Sequence, residues 1–173
     1  MQIYDSIWMR NAIEKMADAI IRLSAGRQDT ILAGIRTRGP LLAKRVADVI
    51  GEKTGSALLV GAVDIRLQRD DFHLRGAVSG TGGTDLPAPI DGREVILIDD
   101  VLFTGRTVRA ALNELLDHGR ASAVRLAVLI DRGGRELPVQ PDVCVERMTV
   151  PADKTVAVRL KGIDAGDDCV LEL

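Results

Sequence analysis

Val95-Ile96-Leu97-Ile98, followed at once by Asp99-Asp100 and soon after by Thr104-Gly105-Arg106-Thr107, constrains this chain more than any other stretch. Four unbroken apolar residues closed off by charge read as a strand buried on both faces, which is the habit of a parallel sheet. Asp99–Gly105 reads as the loop after it and Thr107–His118 as a helix, with Gly119 placed to end it. The same order recurs upstream: a strand over Thr30–Gly34, the turn Ile35-Arg36-Thr37-Arg38-Gly39, then a helix opened by Pro40. Leu58–Ile65 and Val124–Ile130 add two more strands, and Val143–Val145 and Val156–Leu160 are shorter strand-like runs. Near the start, Ile13, Met16, Ala17, Ile20 and Ile21 recur at helical spacing after a cap at Asp5 or Ser6, and Gly26 can end that helix. Strands alternating with helices predict an α/β fold, a mainly parallel sheet flanked by helices.

The 173 residues fit one domain, 1–173, with an aliphatic core, because Tyr4, Trp8, Phe72 and Phe103 are the only aromatics. So few rings make a stacking platform for single-stranded nucleic acid improbable. A formal net charge of −2 gives no global attraction to nucleic acid or to an anionic membrane. Cys144 and Cys169 are too far apart for a metal or redox pair and read as reduced core residues. No apolar run is long enough to span a bilayer, so a cytoplasmic protein is expected. Two irregular stretches remain. Residues 66–91 mix charge, glycine and proline, and are read as a flexible lid loop, a functionless excursion being the alternative. Residues 132–160 are read as a small hood or flap above the sheet.

The chemistry follows from position. A buried parallel strand delivers what comes after it to the carboxyl edge of the sheet, where ligands bind in open α/β folds. Asp99 and Asp100 can there accept hydrogen bonds from two vicinal hydroxyls, while the helix start offers backbone N–H groups to a phosphate. Gly105 lets the backbone come close, and the hydroxyls of Thr104 and Thr107 add donors. Together they describe a ribose phosphate. Taken singly, the acids read as solvated loop residues and the threonines as helix caps; the ordered set argues for function. Neither GxxxxGK[ST] nor a strand-to-helix GxGxxG is present, and Gly80-Thr81-Gly82-Gly83 reads as a hinge. Arg36-Thr37-Arg38-Gly39-Pro40 suits a pyrophosphate, with a solvated basic turn as its alternative.

The segment Val95–Thr107 resembles the phosphoribosyl pyrophosphate (PRPP) signature of the type I phosphoribosyltransferases. GIRTRGPLLAKR, VDIRLQRDD, VILIDDVLFTGRTVRAAL and AVLIDRGGRELP, in that order, resemble the PyrR family, whose members are uracil phosphoribosyltransferases and often RNA-binding attenuators of pyrimidine operons. The resemblance implies a type I phosphoribosyltransferase fold and a reaction in which uracil and PRPP give UMP and pyrophosphate. It places Thr37, Arg38 and Gly39 on pyrophosphate, Asp99 and Asp100 on the ribose, and Thr104, Gly105, Arg106 and Thr107 on the 5-phosphate. Asp99, Asp100 and Arg38 are the candidate catalytic residues, Arg132 a base contact, and Arg69, Asp70 and Asp71 residues of the lid. Mg2+ would enter on PRPP, with no protein side chain as its ligand. A homodimer or higher oligomer is implied. RNA binding is doubtful: Glu14, Asp18, Gly134 and Glu146 stand where RNA-binding members carry Thr, His, His and Lys. A regulator using nucleotides only as effectors, or a transferase for a purine or orotate, remain open alternatives.

Overall fold

A computed structural model describes residues 1–24, 29–66, 83–151 and 153–173. The chain runs β1 (Gln2–Tyr4), α1 (Ser6–Ser24), β2 (Ile31–Ile35), α2 (Gly39–Thr54), β3 (Leu59–Val63), β4 (Glu94–Leu102), α3 (Arg106–His118), β5 (Ala123–Asp131), β6 (Val143–Arg147), β7 (Val156–Arg159) and β8 (Cys169–Glu172). The main sheet has five strands in the order β3-β2-β4-β5-β6, and every neighbouring pair is parallel. Alternate strand residues separate its two faces. Leu32, Ile96, Ile98, Ala127 and Leu129 join the apolar residues of α1 and α2; Ile31, Ala33, Val95, Leu97 and Val128 join those of α3. This is the doubly covered parallel sheet that the unbroken apolar runs predict. Asp5 caps α1 by accepting the Trp8 N–H at 2.9 Å.

The chain turns one way from β2 through α2 to β3, and β4 lies on the other side of β2. The strand order therefore switches between β2 and β4, and the loops leaving their carboxyl ends diverge there. Close packing fixes the α2 side of that crevice. A Cβ on Gly34 would lie 2.1 Å from the Gly39 carbonyl carbon, and one on Gly39 would lie 2.6 Å from the Ile98 carbonyl oxygen. Only glycines allow the start of α2 to sit this close to the ends of β2 and β4.

Three boundaries differ from the sequence reading. β4 continues through the acid pair to Leu102, because Asp99, Val101 and Leu102 stay in register with Val128, Ile130 and Asp131 of β5. β6 is no part of a flap: it is the fifth strand of the main sheet, paired with β5. β7 forms a three-stranded antiparallel sheet with β8 and β1, in the order β1-β8-β7, to which the sequence reading assigned neither terminal strand. In the stretch read as a lid, Asp85 pairs with Ala62 at 2.8 Å in both directions and Ile90 is fully buried, so residues 84–91 are anchored to the body. Arg69, Asp70 and Asp71 lie outside the described residues, as do Gly26 and most of the proposed hinge.

Candidate active site

The acid pair stands near the carboxyl end of the β4 ladder, three and two residues before its end at Leu102, beside the switch in strand order. Asp99 is 7% exposed and Asp100 half-buried, so the pair is not on an exposed edge, as a loop position would have made it. The reason is the extra length of β4, which carries Asp99 between its neighbours before the chain turns away. The Asp99 carboxylate accepts the Asp100 backbone N–H at 3.0 Å. Burial, with the Asp100 charge next to it, pushes the Asp99 carboxyl well above its ordinary value.

The loop after β2 closes one side. Thr37 is exposed, Arg38 half-buried and Gly39 buried. Arg38 does not point freely into solvent. Its Nε and Nη2 donate to the two oxygens of Asp164 at 2.8 and 2.7 Å. That pairing, aided by the nearby Asp100 charge, raises the guanidinium value further, while Arg38 brings the Asp164 carboxyl down to about 2. Sequence reasoning missed Asp164; its only signal is an acid in the glycine-rich turn Gly162-Ile163-Asp164-Ala165-Gly166.

The loop after β4 closes the other side. Gly105, at φ +92°, is the cap residue before the first helical residue of α3 and has no side chain to cap it. The first backbone N–H groups of such a helix start are donors that anions favour. The Thr104 hydroxyl accepts the Arg106 N–H at 3.3 Å, and Thr107 is half-buried in the first turn. The Arg106 side chain instead pairs with Glu136 at 2.7 Å.

The expected hood segment is fastened to this same loop. The Glu136 and Leu137 N–H groups donate to the Thr104 carbonyl at 3.0 and 3.1 Å. Arg135 bridges Asp131, the Phe103 carbonyl and the Val139 carbonyl. Arg132 is buried, its guanidinium lies 4.0 Å from the centre of the Phe103 ring, and its Nε has no hydrogen-bond partner among the described residues. Gly134 makes room, since a Cβ there would lie 2.4 Å from that ring. Phe103 and Arg135 were not singled out by sequence.

At the mouth of the lid loop, the Thr84 hydroxyl accepts the Asp64 N–H at 3.0 Å and donates to Glu114 at 2.6 Å. Asp64 also holds Arg66 through paired contacts. Both described ends of the loop are thus tied to the crevice side of the sheet.

A buried and a half-buried carboxylate, a cationic loop and a helix start meet at one switch point, the place where ligands bind in open α/β folds. A model of the phosphoribosyl transferase domain matches residues 2–158. Solved structures agree on the fold: hypoxanthine phosphoribosyltransferase of Trypanosoma cruzi superposes with a TM-score of 0.72 at 16% identity, covering 100% of this chain and 95% of that one. A hypoxanthine-guanine phosphoribosyltransferase of Bacillus anthracis gives 0.68 at 14%, over 90% and 86%. Sequence relatives are far nearer. The bifunctional protein PyrR of Chloroflexus aurantiacus is 45% identical, over 98% of this chain and 93% of its own length. That of a Roseiflexus species is 46% identical, over 98% and 92%. The chain belongs to the PyrR family of phosphoribosyltransferases, and it is a pentosyltransferase.

Proposed function

We propose that this pentosyltransferase transfers the ribose-5-phosphate of PRPP to uracil, giving UMP and pyrophosphate. The observation that carries the reading is the meeting, at one switch point, of the Arg38 loop with the Asp99-Asp100 pair and the Gly105 turn. Asp99 and Asp100 hold the ribose hydroxyls, Thr104 to Thr107 the 5-phosphate, and Thr37, Arg38 and Gly39 the pyrophosphate. The base nitrogen displaces pyrophosphate at the anomeric carbon through a transition state with oxocarbenium character, and cationic groups at the Arg38 loop stabilise the departing charge. No protein nucleophile is needed. Arg132, with its orphaned Nε, is the base-side contact, and Phe103 shapes that wall. Arg69, Asp70 and Asp71 act from the lid to exclude water.

Two carboxylates beside a cationic loop fit a Mg2+ ion that arrives on the donor's own oxygens; among the described residues no cluster of three or more His, Cys, Asp or Glu could hold one. Such an ion supplies further charge neutralisation for the leaving group. The protein acts in the cytoplasm, as a homodimer or higher oligomer; among the described residues no helix is long and apolar enough to cross a membrane.

RNA is bound weakly or not at all. Glu14 and Asp18 border one surface depression with Lys15 and Val145, and Asp18 is paired with Lys53 at 2.6 Å, so this face carries acids and cations together and offers an RNA phosphate no net positive patch. A gel-shift titration with pyrimidine-leader RNA, with uridine nucleotide present at low and moderate salt, should show no selective complex. Tight selective binding would restore the regulatory reading.

The enzymatic reading is tested with labelled uracil, hypoxanthine, guanine and orotate, each incubated with PRPP and Mg2+. Product from uracil alone is expected. Turnover of a purine or orotate in its place would change the base, and no product from any of them would leave a nucleotide-binding regulator.

A further inference from the structure

The segment between β7 and β8 takes no part in the assignments above, yet it grips both the residue that opens α2 and the body of that helix. Asp164 receives Nε and Nη2 of Arg38, with side-chain exposures of 34% and 18% for the arginine and the acid. Arg45, seven residues on and about 10 Å along the helix, donates to Asp168 at 2.8 Å and to the Lys161 carbonyl at 2.8 Å. Asp164 is itself fixed from behind. Its carboxylate accepts the Leu160 N–H at 2.9 Å, and its own N–H donates to the Leu160 carbonyl at 2.9 Å. The acid is therefore a rigid anchor and the arginine the tethered partner.

We propose that Asp164 is a positioning residue for the transfer reaction: it holds the Arg38 guanidinium in place before the pyrophosphate of the donor arrives. The proposal rests on the reading of Arg38 as a pyrophosphate residue. A free arginine side chain loses several rotamers when it grips a ligand, and an arginine already clamped through two of its nitrogens loses far fewer. The planar fork leaves Nη1 and one Nη2 hydrogen available to an incoming oxygen while the Asp164 side is occupied. Arg38 and the Leu160 N–H hold the Asp164 carboxyl down to about 2, so the acid is charged at neutral pH.

The arrangement contains its own control. Asp168 binds Arg45 through one nitrogen, from the same segment to a point in α2 seven residues beyond Arg38. Loss of either acid weakens the docking of the segment; only loss of Asp164 frees Arg38.

Calorimetric affinities for PRPP and for UMP, with PRPP KM, kcat and melting temperature, should be measured for the full chain and for Asp164→Ala, Asp164→Asn, Asp168→Ala, Arg38→Ala and the Arg38→Ala/Asp164→Ala double variant. Asp164→Ala should weaken PRPP by roughly 2- to 10-fold, the equivalent of ordering one long side chain. UMP affinity and kcat should hardly move. Asp164→Asn, which keeps the volume and an acceptor for the Leu160 N–H, should give a smaller shift in the same direction. Asp168→Ala should lower the melting temperature and leave the PRPP-to-UMP ratio at the parent value. The double variant should bind PRPP no worse than Arg38→Ala. Equal losses for both ligands, a ratio that shifts as much in Asp168→Ala, or full additivity with Arg38→Ala would overturn the positioning role. If Arg38→Ala itself leaves PRPP affinity at the parent value, the pyrophosphate assignment of Arg38 fails first.

Discussion

The single strand β4 carries one buried acid at its first residue and another toward its carboxyl end, and the two are treated differently. Glu94, at the amino edge of the sheet, is 2% exposed; Asp99, about 16 Å along the strand, is 7% exposed. Glu94 is met by the Arg125 Nε at 3.0 Å and the Thr30 hydroxyl at 3.4 Å, and Arg125 goes on to Asp142 at 3.1 Å. Asp99 is met by a backbone N–H and by a second carboxylate. Burial without a partner costs a charge several kcal/mol, and burial beside a like charge adds to that cost. The amino edge has spent its acid on architecture. The carboxyl edge keeps an acid whose needs the fold leaves unmet and a hydroxyl-rich ligand can meet, which is why perturbed groups cluster at functional sites.

The largest effect that would break this contrast lies at the carboxyl edge. Replacing Asp99 and Asp100 by Asn together should cut turnover by roughly 100-fold or more, since each carboxylate hydrogen bond to the ribose contributes on the order of 1.5–3 kcal/mol. The melting temperature should stay level or rise, because Asn fills the same space and removes a buried charge. Steady-state rate and thermal melting, read on one preparation, settle it: a double variant near the parent rate removes these acids from the ribose site. Next in size is Glu94→Ala, which should destabilise the fold by about 2 kcal/mol through the lost acceptor and the loosened Arg125. Arg125 retains Asp142 and is 37% exposed, so the loss stays below that of a fully buried pair. The kcat/KM of the variant, measured well below its melting point, should match the parent; a drop there would mean that the two edges are coupled.

Much of this was legible in the sequence, and what was not has physical reasons. The unbroken runs of β2, β4 and β5 announced a sheet buried on both faces, and the acid pair followed by Thr-Gly-Arg-Thr pointed to the edge at which the donor is proposed to bind. The end of β4 was misplaced because a charged residue normally stops a strand, and here the ladder to β5 carries the acids along. β6 was taken for part of a flap because Val143–Val145 is short, and only pairing with β5 reveals its place. Asp164 was invisible because its role depends on a partner 126 residues away in the chain. No local spacing encodes that.

The smallest expected effect is a difference in pH dependence, and it tests the contrast at Asp99 alone. The native Asp99 carboxyl is raised above 3.8 by burial and by Asp100, so the folded protein keeps a proton at pH values where the unfolded chain has released it. Stability therefore falls as pH rises from about 3.8 through the raised value, and the full penalty is present above it. Below about 3.8 the residue contributes none. Asp164 has the opposite sign: held at about 2, it stabilises the fold above 3.8 and that gain is lost as pH falls toward 2. Asp99→Asn leaves the Asp164 contribution untouched, so subtracting parent from variant isolates Asp99. The variant's stability advantage should be near zero at the acid end and grow with pH, no more steeply than about 1.4 kcal/mol per pH unit, the limit for one proton. It should then level off. Urea midpoints for both proteins across pH 4 to 8 measure this directly. A difference that stays flat across that range would mean that Asp99 ionises in the fold at no cost, and its burial would then no longer distinguish it from Glu94.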